Sequence, residues 1–204
     1  PGRTLLTTLD AVFDPLAIAM SPEGDTLAVA SHRSGQSSMY PHDEREVETE
    51  RDVALVDLET LEVTGHILEV AATIQAMNFS DDGTLWVSAT SNNTEGKLSD
   101  PESLSFQHEL FTLAPMAGLA QRAQSVDLSR QPTSGGSTAT IHGFAFCGDT
   151  IWVAAEGANL AVQLAADLTE LRRVPVEGRP RALVCDGDAV WVLSATRMSV
   201  TRIA

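Results

Sequence analysis

Apolar positions along this chain come in short runs that alternate with polar ones, and the runs return in pairs around a glycine. Residues 83–87 read GTLWV, 148–153 GDTIWV, 187–192 GDAVWV and 24–29 a paler GDTLAV. Ahead of each glycine stands another short run of β-type character: DPLAIAMSPE, TIQAMNFSDD, IHGFAFC and RPRALVCD. Two such runs joined by a tight turn rich in Asp, Ser, Pro or Gly predict a β-hairpin. The glycines stand 59, 65 and 39 residues apart (24 to 83, 83 to 148, 148 to 187), so one unit is written four times.

Each unit carries material for two more strands. Residues 53–60 (VALVDLET) and 61–70 (LEVTGHILEV) follow the first hairpin, and 108–115 with 119–128 follow the second. Residues 160–167 and 168–176 follow the third, while 198–204 (MSVTRIA) supply a third strand to the last unit. Helical periodicity is absent from every unit, so no helix longer than about two turns is expected. Four antiparallel strands per unit, repeated, predict the blades of an all-β propeller, because a lone blade cannot bury its own faces. The whole chain, 1–204, reads as one such domain, with blades over 11–70, 71–130, 138–177 and 178–204. RTLLTTLD (3–10) is expected to complete the last blade beside 198–204 and to cover an exposed edge. Four blades either close a small ring or form half of a larger propeller.

PLAIAMSPEGDTLAVAS with VALVDLETLEV, and RPRALVCDGDAVWVLS with MSVTRIA, resemble the YVTN-type β-propeller repeats of bacteria, over essentially the whole chain. The resemblance implies a binding platform rather than a catalyst, and a periplasmic or extracellular setting. Relatives of this type usually have seven or so blades. This chain departs from that pattern in its four units and in two long insertions.

Composition narrows the partners. Thirteen basic against twenty-eight acidic side chains leave a formal charge of −15, which repels nucleic acid and anionic membrane surfaces. The apolar runs are too short for a membrane-spanning helix. Cys147 and Cys185 are the only cysteines, and neither sits in a C-x-x-C or C-x-x-C-H pattern, which argues against covalent haem and structural zinc. Their spacing does not decide whether they pair. No G-x-S-x-G, H-E-x-x-H or P-loop occurs, and no cofactor is expected.

Both insertions, 31–52 and 90–108, follow the second strand of their unit and are expected on one face. Loops of that length in a compact repeat are usually functional or disordered. The second position of each first strand forms a column: Leu16, Gln75, His142 and Arg181. In a propeller these positions surround the mouth of the central channel. His32, Thr90 and Glu156 close the second strands nearby. Gln75, His142, Arg181, His32 and Glu156 are therefore the candidate ligand-binding residues, suited to a carboxylate or phosphate, with His142 also a candidate metal ligand. The bland alternative is a water-filled channel whose polar lining bonds only to its own loops. Trp86, Trp152 and Trp191 recur in register and belong to packing between blades.

These readings favour a non-catalytic platform that presents a loop-rich face to a protein or a small anionic ligand. A redox or enzyme accessory with a metal or anion site at the channel mouth is the alternative. A third is half of a split propeller, completed by a second half or by oligomerisation.

Overall fold

The computed structural model describes residues 15–31, 53–67, 73–93, 105–114, 121–127 and 141–204, together with residues 8, 11 and 70. These form fifteen strands in four antiparallel sheets and, among the described residues, no helix. Blade 1 contains β1 (Pro15–Met20), β2 (Thr26–Ser31), β3 (Val53–Asp57) and β4 (Glu62–Ile67), paired in chain order. Blade 2 contains β5 (Thr73–Phe79), β6 (Leu85–Asn93), β7 (Ser105–Ala114) and β8 (Gln121–Asp127). Blade 3 contains β9 (Ile141–Cys147), β10 (Thr150–Ala155), β11 (Leu160–Ala165) and β12 (Glu170–Pro175). Blade 4 has three strands among the described residues: β13 (Pro180–Asp186), β14 (Ala189–Ser194) and β15 (Ser199–Ile203). Of the expected closing strand at 3–10 only Thr8 is among the described residues, and it is in no strand; the rest lies outside them.

The glycine turns work as local chemistry dictates. Gly24, Gly83, Gly148 and Gly187 all hold φ between 57° and 80°, a region that costs a side-chain-bearing residue dearly. Two turns are further locked by serine. The Ser21 hydroxyl accepts from the amides of Asp25 and Thr26 and donates to the Asp25 carboxylate at 2.7 Å. The Ser80 hydroxyl likewise donates to Asp82 at 2.6 Å and accepts from the Trp86 indole N–H at 3.3 Å. These bonds to Ser21 and Ser80 hold both carboxyls below their ordinary pKa.

The first strands β1, β5, β9 and β13 pack on one another in sequence and form the inner edges of the blades. Period-2 alternation then gives every blade two apolar faces, and three continuous cores fill the spaces between them. Ala28, Ala30 and Ile67 meet Met77, Val87 and Phe111 between blades 1 and 2. Trp86 and Leu110 meet Phe144, Val153 and Leu164 between blades 2 and 3, with Trp86 edge-on to Phe146. Trp152 and Ala161 meet Val190, Val192 and Ile203 between blades 3 and 4.

One expectation needs correction. The insertion expected at 90–108 is strand at both ends, because β6 runs through Asn93 and pairs with β7 from Ser105. Alternating backbone bonds continue wherever two antiparallel segments leave a blade together, so the ladder outlasts the apolar pattern that predicted it. What connects the two strands (94–104), like the other insertion from His32 onward, lies outside the described residues.

Candidate functional site at the head of the inner strands

Leu16, Gln75, His142 and Arg181 share a feature that repeats through all four blades. Each is the residue that its β-ladder passes over. Pro15 pairs with Ser31 and Ala17 with Ala30, leaving Leu16 out. The same skip omits Gln75 between Ile74 and Ala76, His142 between Ile141 and Gly143, and Arg181 between Pro180 and Ala182. Such a bulge breaks the strict in–out alternation and re-aims one side chain.

Between blades 3 and 4 the re-aimed side chains converge on a single carboxylate. Glu156 directly follows β10 and is only 3 % exposed. Its Oε1 accepts from Arg181 Nη2 at 3.2 Å and Nε at 3.3 Å, and forms an ion pair with Arg179 Nε at 3.0 Å. Its Oε2 contacts His142 Nε2. A buried carboxylate without partners would be strongly unfavourable, and these three side chains supply the compensation. The Arg179 and Arg181 side chains remain 54 % and 52 % exposed, so more than half of each is open to solvent.

Burial holds His142 below its ordinary pKa of 6.5; Glu156 pulls the other way, and the charges of Arg181 and Arg179 add to the lowering. A pKa below 6.5 leaves the ring largely neutral near pH 7, and its Nε2 lies against Glu156. With a neutral histidine, two guanidinium groups and one carboxylate, the cluster carries one surplus positive charge on a chain of formal charge −15. His142 thus contributes position and a close contact to Glu156 at neutral pH rather than a full charge.

Three of the five candidate residues, His142, Glu156 and Arg181, are brought together. Gln75 sits half-buried on β5, two blades from Arg181, and is not among the side chains that meet at Glu156. His32 lies outside the described residues. Sequence reading missed Arg179. Its backbone takes φ +61°, a left-handed conformation costing a non-glycine residue roughly 1–2 kcal/mol. It is held there because the Asn159 side-chain carbonyl accepts its amide at 3.0 Å and its own carbonyl accepts from Ala195 at 3.0 Å. The available signal was the pair of arginines flanking Pro180 in EGRPR, directly ahead of an inner strand.

Close approach of the two inner strands is needed for this cluster, and Gly143 permits it. A Cβ there would stand 2.5 Å from the Arg181 carbonyl oxygen. At the far ends of the same strands Cys147 and Cys185 form a disulfide with Cα atoms 5.6 Å apart. Strands β9 and β13 are thus fastened at both ends, ionically at the head and covalently at the foot. Among the described residues, no three His, Cys, Asp or Glu side chains are grouped to hold a metal ion.

Solved structures place this architecture among β-propellers. The chain is similar to the hydrazine synthase of Kuenenia stuttgartiensis, with a TM-score of 0.67 at 15 % identity over 91 % of this chain and 57 % of that one. A streptogramin B lyase gives a TM-score of 0.61 at 15 % identity over 93 % of this chain and 51 % of the other. The WD40 repeats of RRP9 give 0.56 at 10 % identity, over 97 % and 52 %. At these identities the likeness speaks for the fold alone. The chain therefore spans between 51 and 57 % of the length of these three propeller chains. No protein-family model and no curated protein sequence matches it.

Proposed function

We propose that this chain is a non-catalytic β-propeller platform of the YVTN-like kind, which takes the carboxylate or phosphate of a small ligand or protein partner at the head of its inner strands. The observation that carries this reading is the Glu156 cluster. One buried carboxylate fixes two guanidinium groups side by side, while more than half of each arginine side chain stays open to solvent. Two such pre-positioned guanidinium groups suit an anion better than a cation, since charge-assisted, often bidentate bonds to oxyanions are their characteristic interaction. Holding them in place beforehand lowers the ordering cost of binding. A protein ligand bearing an exposed carboxylate fits the same chemistry, and the chain's overall acidity leaves this cluster as a local exception.

The accessory-enzyme alternative draws less support. One histidine and one carboxylate, already satisfied by each other and by two arginines, make a poor metal donor set. Titration calorimetry with inorganic phosphate and with acetate tests the proposal. Arg179→Ala and Arg181→Ala are each expected to weaken binding about tenfold or more, since a charge-assisted bond contributes roughly 1.5–3 kcal/mol. From pH 7 to 8 acetate affinity stays nearly flat in the parent, because the lowered pKa leaves His142 largely neutral there. Binding that ignores both substitutions would remove the cluster from consideration as the ligand site.

A further inference from the structure

Each blade in the interior of the arc presents a front face to the next blade and a back face to the previous one. The tryptophans mark the fronts. Trp86 packs into the core shared with blade 3 and Trp152 into the core shared with blade 4, and both are buried. Trp191 has the same place in blade 4 and is only partly buried. Two positions later, Ser88 and Ala154 are fully covered, whereas Leu193 is 48 % exposed. Val184, cross-strand from Trp191, and Val200, cross-strand from Leu193, are each 60 % exposed. The front of blade 4 is built for a neighbour that none of the described residues supplies.

Blade 1 shows the converse. Opposite Val87 and Val153 on the inner strands stand Met77 and Phe144, which are buried against the preceding blade. Blade 1 has Ile18 opposite Val29, and Ile18 is 66 % exposed, with Met20 beside it at 59 %. Ala11 packs farther out on the same sheet, over Val29, Ala54 and Val56, so the stripe left open is the one nearest the axis. One chain thus carries an unfilled front and an unfilled back, and by repeat register these are the two halves of a single kind of interface.

We propose that the open front of blade 4 is filled by the back of blade 1 of a second copy of this chain, and reciprocally, so that two four-bladed arcs close an eight-bladed ring. Three observations converge on that occupant. The two faces are apolar at repeat-equivalent positions, as each would be for the other. The arc covers 51 to 57 % of three propeller chains, so two arcs supply about the length of one such chain. Eight blades also fall within the usual four-to-eight range of closed propellers. The contact is front to back, and a two-fold axis along the channel repeats it twice and ends assembly at two copies.

Sedimentation and light scattering of the purified chain at up to about 100 μM, well above the dissociation constant expected of two apolar seams, give the mass directly. The expected particle is twice 21.7 kDa. Val184→Glu damages only the front and Ile18→Glu only the back; both sites are exposed, so each variant should keep the parent's β-sheet circular dichroism. Each alone is expected to run as a monomer. Mixed in equal amounts, the two variants are expected to associate again, because one seam in the mixed pair then has two intact faces. A monomeric parent would overturn the proposal, as would growth into open-ended oligomers or variants that remain dimeric. Phosphate and acetate titrations of the monomeric variants keep this outcome separate from that of the anion site.

Discussion

Between blades 1 and 2 the inner strands are held by apolar packing, with Ala17 and Ala19 of β1 lying in one core with Ile74 and Met77 of β5. Between blades 3 and 4 the inner strands share a smaller core around Trp152, Val190 and Val192, and add a disulfide and the Glu156 cluster. Blades 1 and 4 both end the arc, so position alone does not make the difference; the size of the shared core does. The smaller core between blades 3 and 4 has less burial to offset the ordering entropy of the last blade, and covalent and ionic fastenings make up part of the difference.

Tryptophan replacement gives the largest contrast. Trp152→Ala is expected to cost about 3–5 kcal/mol, as removal of a fully packed aromatic side chain does. Trp191→Ala in the monomeric Val184→Glu background should cost less than about 1 kcal/mol, as changes away from packed features do. Urea unfolding followed by circular dichroism measures both, and equal losses would mean that the fronts of blades 3 and 4 are not different environments.

Next in size is the disulfide. Cys147 and Cys185 are 38 residues apart, and a loop of that size stabilises a chain by roughly 4 kcal/mol in the loop-entropy account. Replacing both with alanine should therefore lower the urea midpoint and loosen blade 4 ahead of the rest. Amide exchange resolved by segment reads this as protection lost across β13 to β15 and retained across β5 to β7. Uniform loss would show that the bond supports the whole arc rather than its end.

The repeat was legible because it is local. Gly83, Gly148 and Gly187 with the tryptophans that follow them state hairpin, register and core face within a few residues of chain. His142, Arg181 and Glu156 were legible as neighbours for the same reason, since equal positions in adjacent blades must meet at one end. Arg179 was not, because its role depends on a left-handed backbone fixed by Asn159, twenty residues earlier. The cysteine pairing depends on how closely two inner strands approach, which spacing along the chain does not encode. The continued pairing of Asn93 with Ser105 begins in TSNN (90–93), a polar stretch with no apolar alternation to announce it.

The smallest effect is one of pH. His142 has its pKa lowered on folding, so it contributes its full share of stability above about 6.5, the unfolded value, and loses it as pH falls towards the folded value. The groups facing it are Glu156, Arg179 and Arg181. Unfolding free energy of the parent should therefore decline between pH 6.5 and 5, and His142→Asn should flatten that part of the curve. An unchanged slope would mean that folding does not lower the pKa of the His142 ring.

The bulge that opens every inner strand has a consequence for diversity. Because the ladder closes without Leu16, Gln75, His142 or Arg181, no backbone pairing depends on what those residues are. An aliphatic, an amide, an imidazole and a guanidinium already share the position within one chain. The scaffold thereby separates inheritance of shape from choice of chemistry: four letters can be rewritten to tune what the rim attracts, while the same repeated hairpin goes on specifying how each blade is made.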